Sequence, residues 1–215
     1  MKTLLTNAWL ITVDAAMTEY RHGWLLIENG MIIGLGDSPV PDVPEAEVRD
    51  MGGDIVMPGM VNTHCHMAMS LFRGLGEDVD DRPFRYMLPL ERKFVSPEMV
   101  RAGSTLSALE MIMGGVTTVA DMYYHEMEVA DVIIRSGMRG VVGQTLADFD
   151  PPDHRDFDEG FAMCDALVDH CAGHARVTAS IAPHAPYSTG IKIMERVVDW
   201  HEAHPQTRVQ IHLAE

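Results

Sequence analysis

From Ile55 onward the sequence alternates short apolar runs with longer stretches of helical periodicity, a pattern that calls for an α/β fold built on a parallel sheet. The strand-like runs lie at 55–64, 117–123, 139–146, 176–184 and 208–215. In the clearest helix, Ser96 stands as N-cap and Pro97 takes the first helical position. Met99, Ala102, Leu106, Leu109 and Met113 follow at 3,4,3,4 spacing, which predicts the apolar face, and Gly114-Gly115 end the helix. A second helix is predicted at 190–204, with Met194, Val197, Val198 and His201 on one face.

Residues 1–57 read differently. Three strand-like runs, Trp9–Val13, Trp24–Ile27 and Met31–Leu35, precede a loop marked by Pro39, Pro41 and Pro44. Asn29-Gly30 between the last two runs predicts a type I′ hairpin turn, because both central residues of that turn need positive φ. The expected organisation is a small β module over 1–57 followed by five strand–helix units over 58–215. A closed (β/α)8 barrel has eight such units and is typically about 250 residues long. The sequence stops directly after its fifth strand-like run, so the expectation is the front half of a longer protein, with an open five-stranded α/β domain as the alternative.

Composition removes several function classes. A formal charge of −16 leaves little clustered cation to contact phosphates, so no nucleic-acid partner is expected. No stretch approaches the ~20 consecutive apolar residues of a membrane helix. The first twenty residues lack a signal-peptide pattern, which predicts a cytoplasmic protein with no membrane partner. Cys65, Cys164 and Cys171 are odd in number and scattered, which makes no disulfide framework. Neither a C-x-x-C pair nor a G-x-x-x-x-G-K-[ST] loop occurs, which removes the cytidine-deaminase type of zinc site and nucleoside-triphosphate chemistry.

The chemistry concentrates where the first of the five runs ends, at His64-Cys65-His66. Residues i and i+2 of a strand share a face, so the two imidazoles can stand side by side as two legs of a metal site. Imidazole suits Zn²⁺ and other borderline first-row metals, and catalytic sites typically add a third protein ligand and a water. The same spacing also arises by chance on a solvated loop.

Four segments in order carry more weight than this pair alone. They are PGMVNTHCHMAMSLFRGLGED, GGVTTVADM (114–122), APHAPYS (182–188) and HLAE (212–215). Together they resemble the amidohydrolase superfamily, in its deaminase and chlorohydrolase branch. The resemblance implies a (β/α)8 TIM-type barrel, with its first five strands present here, and a small N-terminal β-sandwich module. It implies His64, His66 and His212 as ligands of one divalent metal, Zn²⁺ or alternatively Fe²⁺. Members with two metals bridge them by a lysine near the end of the fourth strand, and 178–188 holds none. It further implies His184 as a substrate contact and Glu215 as the catalytic proton shuttle. Asp121 and Gln144, at the same strand ends, are read as hydrogen-bonding support for loops. The remaining histidines are read as surface or helix-packing residues.

The implied reaction is hydrolytic deamination of a purine-like or other heteroaromatic amine by a metal-activated water. The alternatives are a chlorohydrolase of the same branch and a non-catalytic half-barrel. The implied partner is a small heteroaromatic substrate, and homo-oligomerisation is left open. Two departures are visible. The branch's metal-binding aspartate and a further histidine would lie beyond residue 215. Nucleoside-directed members carry a tryptophan in a W-L pair where Phe84 stands here, which weakens a nucleoside substrate without excluding it and leaves guanine, pterin, cytosine-like and chlorotriazine substrates open.

Overall fold

Pro58 divides the run 55–64 into two strands that belong to different sheets. The reason is its missing N–H, which cannot feed a strand ladder. In this computed structural model, which describes residues 1–213, the chain separates into two compact units, Met1–Gly59 and Met60–Glu215.

The first unit is a mixed five-stranded sheet of β1 (Lys2–Ile11), β2 (Glu19–Glu28), β3 (Met31–Gly36), β4 (Glu47–Asp50) and β5 (Ile55–Val56). The order is β3-β2-β1-β4, with β5 also on β1; β2 is antiparallel to β1 and β3, whereas β4 and β5 run parallel to β1. Asn29 (φ 51°) and Gly30 (φ 80°) supply the two positive φ values of the predicted turn. Ala8, Leu10 and Leu25 form its buried centre. Among the described residues it is the small N-terminal β module that the sequence led us to expect, here a single five-stranded sheet.

The second unit begins with β6 (Met60–Cys65), followed by a 3₁₀ segment at Met67–Phe72. A single π-turn at Pro83–Met87 runs into α1 (Leu88–Phe94), and α2 (Pro97–Met113) follows. Then come β7 (Val116–Tyr123), α3 (Glu126–Ser136), β8 (Arg139–Leu146), α4 (Phe157–Cys171), β9 (Val177–Pro183), α5 (Pro186–Ala203) and β10 (Arg208–Val209). The sheet order is β10-β9-β8-β7-β6, every pair parallel, as strands joined by helical crossovers must be. Val119, Val142, Ile133 and Leu167 anchor the main core between sheet and helices, and Leu146, Ile181, Val197 and Trp200 form a second cluster. Cys164 and Cys171 are buried on α4 as free thiols.

Three elements differ from expectation. Ser96 caps α2 as predicted, accepting the Met99 N–H at 3.2 Å, but the buried face is Val100, Gly103, Ser104, Ser107 and Ala108. Leu109 and Met113 are instead 56% and 80% exposed. Side-chain size decides this: α2 lies so close to Met67–Phe72 that a Cβ on Gly103 would come within 2.4 Å of the Ala68 carbonyl oxygen. Ser107 Oγ donates to the Met67 carbonyl (2.8 Å) and Ser70 Oγ to that of Gly103 (3.0 Å), which further fixes the face.

The helix expected at 190–204 starts at Pro186 and breaks at Gly190 (φ 70°, ψ 165°). Its buried residues beyond the break are Val197 and Trp200, and Val198 faces out. Of the run 208–215, whose last two residues lie outside the described ones, Arg208–Val209 form a strand, continued by Gln210 N–H to Ile181 O (3.0 Å) and His212 N–H to His184 O (2.9 Å). Among the described residues, no helix is long and apolar enough to cross a membrane.

Candidate metal centre

The ends of β6 and β10 bring His64 and His66 together with His212, which is far from them in sequence. The rings of His64 and His66 lie 4.9 Å apart between centroids, those of His64 and His212 4.9 Å, and those of His66 and His212 5.3 Å. One nitrogen from each falls within 4.8 Å of the others, so the three can hold a metal ion. The Nε2 atoms of His64 and His212 are 3.2 Å apart. Two ligands at the usual Zn–N distance in a tetrahedral shell sit about 3.3 Å from each other. The donor set and its spacing therefore fit a divalent metal of this type.

His66 has a defined tautomer. Its Nδ1 donates to the Met122 carbonyl oxygen at 2.5 Å, and a carbonyl can only accept, so Nε2 is left as the ligating atom. Burial pulls the His66 pKa below its ordinary value, against the opposing effects of Asp121 and the Met122 carbonyl, and the neighbouring His64 and His212 add to the lowering. The imidazole is thereby kept in the neutral form that binds metal.

The strand end behind this pair rests on Asp121 of β7, which is fully buried. Its Oδ2 accepts the Met67 N–H at 2.5 Å, and Cys65 Sγ lies 3.4 Å away. Cys65 accordingly turns from the histidines toward a carboxylate, and burial together with Asp121 pushes its thiol pKa far up. Glu126, also fully buried, has its pKa raised well above the carboxylate range by burial and by Asp121's charge. Gln144 accepts the Glu126 N–H (3.5 Å) and donates to Asp153 (2.9 Å). Support of this kind matches the reading of Asp121 and Gln144 as loop holders. His154 is buried against Asp153 (2.7 Å) and so is not a surface residue.

His184 follows β9. Its N–H is held by the Leu146 carbonyl (2.9 Å), Ser188 Oγ lies 2.9 Å from Nδ1, and its ring stands edge-on to Phe149 (4.9 Å) and His212 (4.8 Å). His66, His184 and His212 line one cavity of about 300 Å³ together with Glu91, Tyr123 and Phe149. Glu215 lies outside the described residues.

Motif reading missed Glu91. It sits on α1, only 7% exposed, and accepts a hydrogen bond from the Tyr123 hydroxyl at 2.9 Å. Burial pushes its pKa up to about 7, against the opposing effect of that hydrogen bond. Nothing in the local sequence announces this burial, because it depends on how the segment after β6 folds back. Tyr123 could have been found, since it ends the second parallel strand on the side where such sheets build their sites. Phe84, which stands in the position of the branch's tryptophan, is 73% exposed and absent from the cavity wall, whereas Arg82 and Pro83 line it.

Comparison with known proteins agrees with this geometry. A model of the amidohydrolase family matches residues 55–215. Curated relatives include the 5-methylthioadenosine/S-adenosylhomocysteine deaminases of Syntrophobacter fumaroxidans and Bacillus cereus. The first is 33% identical over 99% of this chain and 49% of its own length, the second 34% over 100% and 50%. The chain thus spans about half the length of the curated relatives it matches. Similar solved structures include a zinc-bound adenosine deaminase from Xanthomonas campestris (TM-score 0.83, 27% identity, covering 98% of this chain and 48% of that one). A guanine deaminase from C. acetobutylicum superposes with a TM-score of 0.89 at 21% identity, covering 100% of this chain and 54% of that one, which is a likeness of fold.

Proposed function

This chain belongs to the amidohydrolase family, and we propose that the whole protein is a metal-dependent aminohydrolase that replaces the exocyclic amine of a purine-like or related heteroaromatic ring with oxygen. The observation that carries this reading is the convergence of His64, His66 and His212 beside a cavity walled by aromatic side chains. The deaminase names of the relatives and the zinc of a structural neighbour support it. In this reading the five parallel units are the leading part of an eight-stranded barrel, and His64, His66 and His212 hold one Zn²⁺ or Fe²⁺.

When bound, such a metal supplies Lewis acidity that brings the pKa of water from ~15.7 toward ~7. The residues of the chain do the rest. Tyr123 and Phe149 offer ring surface on which a flat heteroaromatic substrate packs. His184, fixed on its Nδ1 side by Ser188, hydrogen-bonds the group at the reacting carbon as charge develops there. Glu91 changes charge near neutrality and faces the cavity, where it hydrogen-bonds polar groups of the substrate. Glu215 moves one proton from the attacking water to the ring nitrogen and then carries the second, from the new hydroxyl, to the amine as its C–N bond breaks and ammonia leaves.

Ammonia and chloride release by the whole protein, offered adenosine-type nucleosides, guanine and a chlorotriazine, tests the reading. The expected result is ammonia from a heteroaromatic amine, abolished in His64→Ala and lowered about 10²–10⁴-fold in kcat by Glu215→Gln. Chloride release without ammonia, or full turnover in His64→Ala, would contradict it.

A further inference from the structure

The strand that delivers His212 is short, spanning Arg208–Val209 among the described residues. Among the described residues β10 pairs with β9 through Arg208 opposite Ser180 and Val209 opposite Ile181, and the Gln210 N–H extends this to the Ile181 carbonyl (3.0 Å). His212 lies three residues past that pairing, with its N–H on the His184 carbonyl (2.9 Å) and its ring edge-on to those of His64, His66 and His184. Its Nε2 stands 3.2 Å from that of His64, on the opposite edge strand of the sheet.

Gln210 accounts for this. Its Nε2 donates both to Ser180 Oγ (2.7 Å) on β9 and to the backbone carbonyl oxygen of Asp121 (2.9 Å) on β7. β7 is three strands away from β10. Across a flat sheet that is roughly 14 Å, beyond the reach of one glutamine side chain. The bond forms because the sheet curls, and it ties the fifth strand across the hollow of the curve. Gly143 of β8 lies beneath this crossing. A Cβ there would come within 2.7 Å of Ser180 Oγ and 2.8 Å of Gln210 Nε2, so the absence of a side chain leaves the passage open.

The far end of the tie is where the other two histidines are held. Asp121 Oδ2 takes the N–H of Met67, the residue after His66, and the carbonyl of Met122 takes His66 Nδ1. Two adjacent residues that contribute no ligand therefore contact both halves of the histidine cluster. We propose that Gln210 is a positioning residue, which sets His212 in register with His64 and His66 by bonding to the Asp121–Met122 strand end. The proposal rests on the reading that the three histidines hold a metal.

The test uses the whole protein loaded with Co²⁺, read by its visible absorption bands and by competition with a chelator. Gln210→Met keeps the length of the side chain and removes both donors. It should weaken Co²⁺ binding about 10–100-fold and change the intensity of the bands, while the protein still melts cooperatively. Val197→Ala, a core truncation away from the cluster, should lower the melting temperature and leave affinity and bands as in the wild type. If Gln210→Met fails to fold, Gly143→Ala, which crowds Nε2 out of its place, should show the same weakened binding and altered bands. Wild-type affinity and bands in a folded Gln210→Met would overturn the proposal while leaving the metal reading intact. A wild-type protein that takes up no Co²⁺ would overturn the metal reading, and this proposal with it.

Discussion

His64 and His212 are 148 residues apart in sequence, and their Nε2 atoms are 3.2 Å apart in space. Two neutral imidazoles at that distance can share at most one proton, whereas a cation between them satisfies both lone pairs. With His66 completing the trio, the strand ends of the parallel sheet present three nitrogens to one point.

His184 is the neighbour of that point which needs no metal bond to matter. In the whole protein, His184→Gln should retain metal and fold, and lose about 10²–10³-fold in kcat, the usual cost of one donor to developing charge. Ser188→Ala should give a smaller loss, because it frees only the ring's Nδ1 side. Steady-state kinetics alongside metal analysis checks both. Unchanged kcat in His184→Gln would remove this residue from the reaction.

Glu91 should leave a mark on stability against pH. Its pKa rises from 4.5 to about 7 on folding, so between those values the folded state holds the proton that the unfolded chain has released. Its contribution is therefore fully present below about pH 4.5 and is lost as pH rises through 7. Glu91→Gln keeps an acceptor for the Tyr123 hydroxyl and cannot ionise. Relative to wild type it should gain up to roughly 3 kcal/mol between pH 4 and pH 8. Denaturant melts across that range measure the difference, and a pH-independent one would show that Glu91 titrates as an exposed carboxylate does.

Gly103→Ala should destabilise the fold by about 1–3 kcal/mol. The added methyl meets backbone, the Ala68 carbonyl oxygen at 2.4 Å, which cannot swing aside as a side chain could. Ala68 sits two residues beyond His66, so the same variant should also weaken metal binding. Thermal unfolding and metal titration are the readouts, and wild-type values in both would mean that α2 and the 3₁₀ segment separate easily.

Local signals read well where local chemistry decides. The strand Arg139–Leu146, the Ser96 cap and the Asn29-Gly30 turn all follow from residue types at fixed offsets. The four motifs were enough to name His64, His66, His184 and His212 before their proximity was visible. The rest depends on long-range packing. The buried face of α2 was missed because a close approach selects glycine and serine over leucine, against the hydrophobic period. Glu91 was missed because its burial comes from a fold-back, and Gln210 because its partner lies 89 positions away and three strands over.

The most direct measurement is the metal content of the whole protein after exhaustive dialysis, beside that of a His64→Ala/His212→Ala variant. The account predicts about one divalent ion per chain in the wild type, either zinc or iron, and almost none in the variant, with both proteins folded. Near-stoichiometric metal retained by the double variant, or none in the wild type after loading, would contradict it.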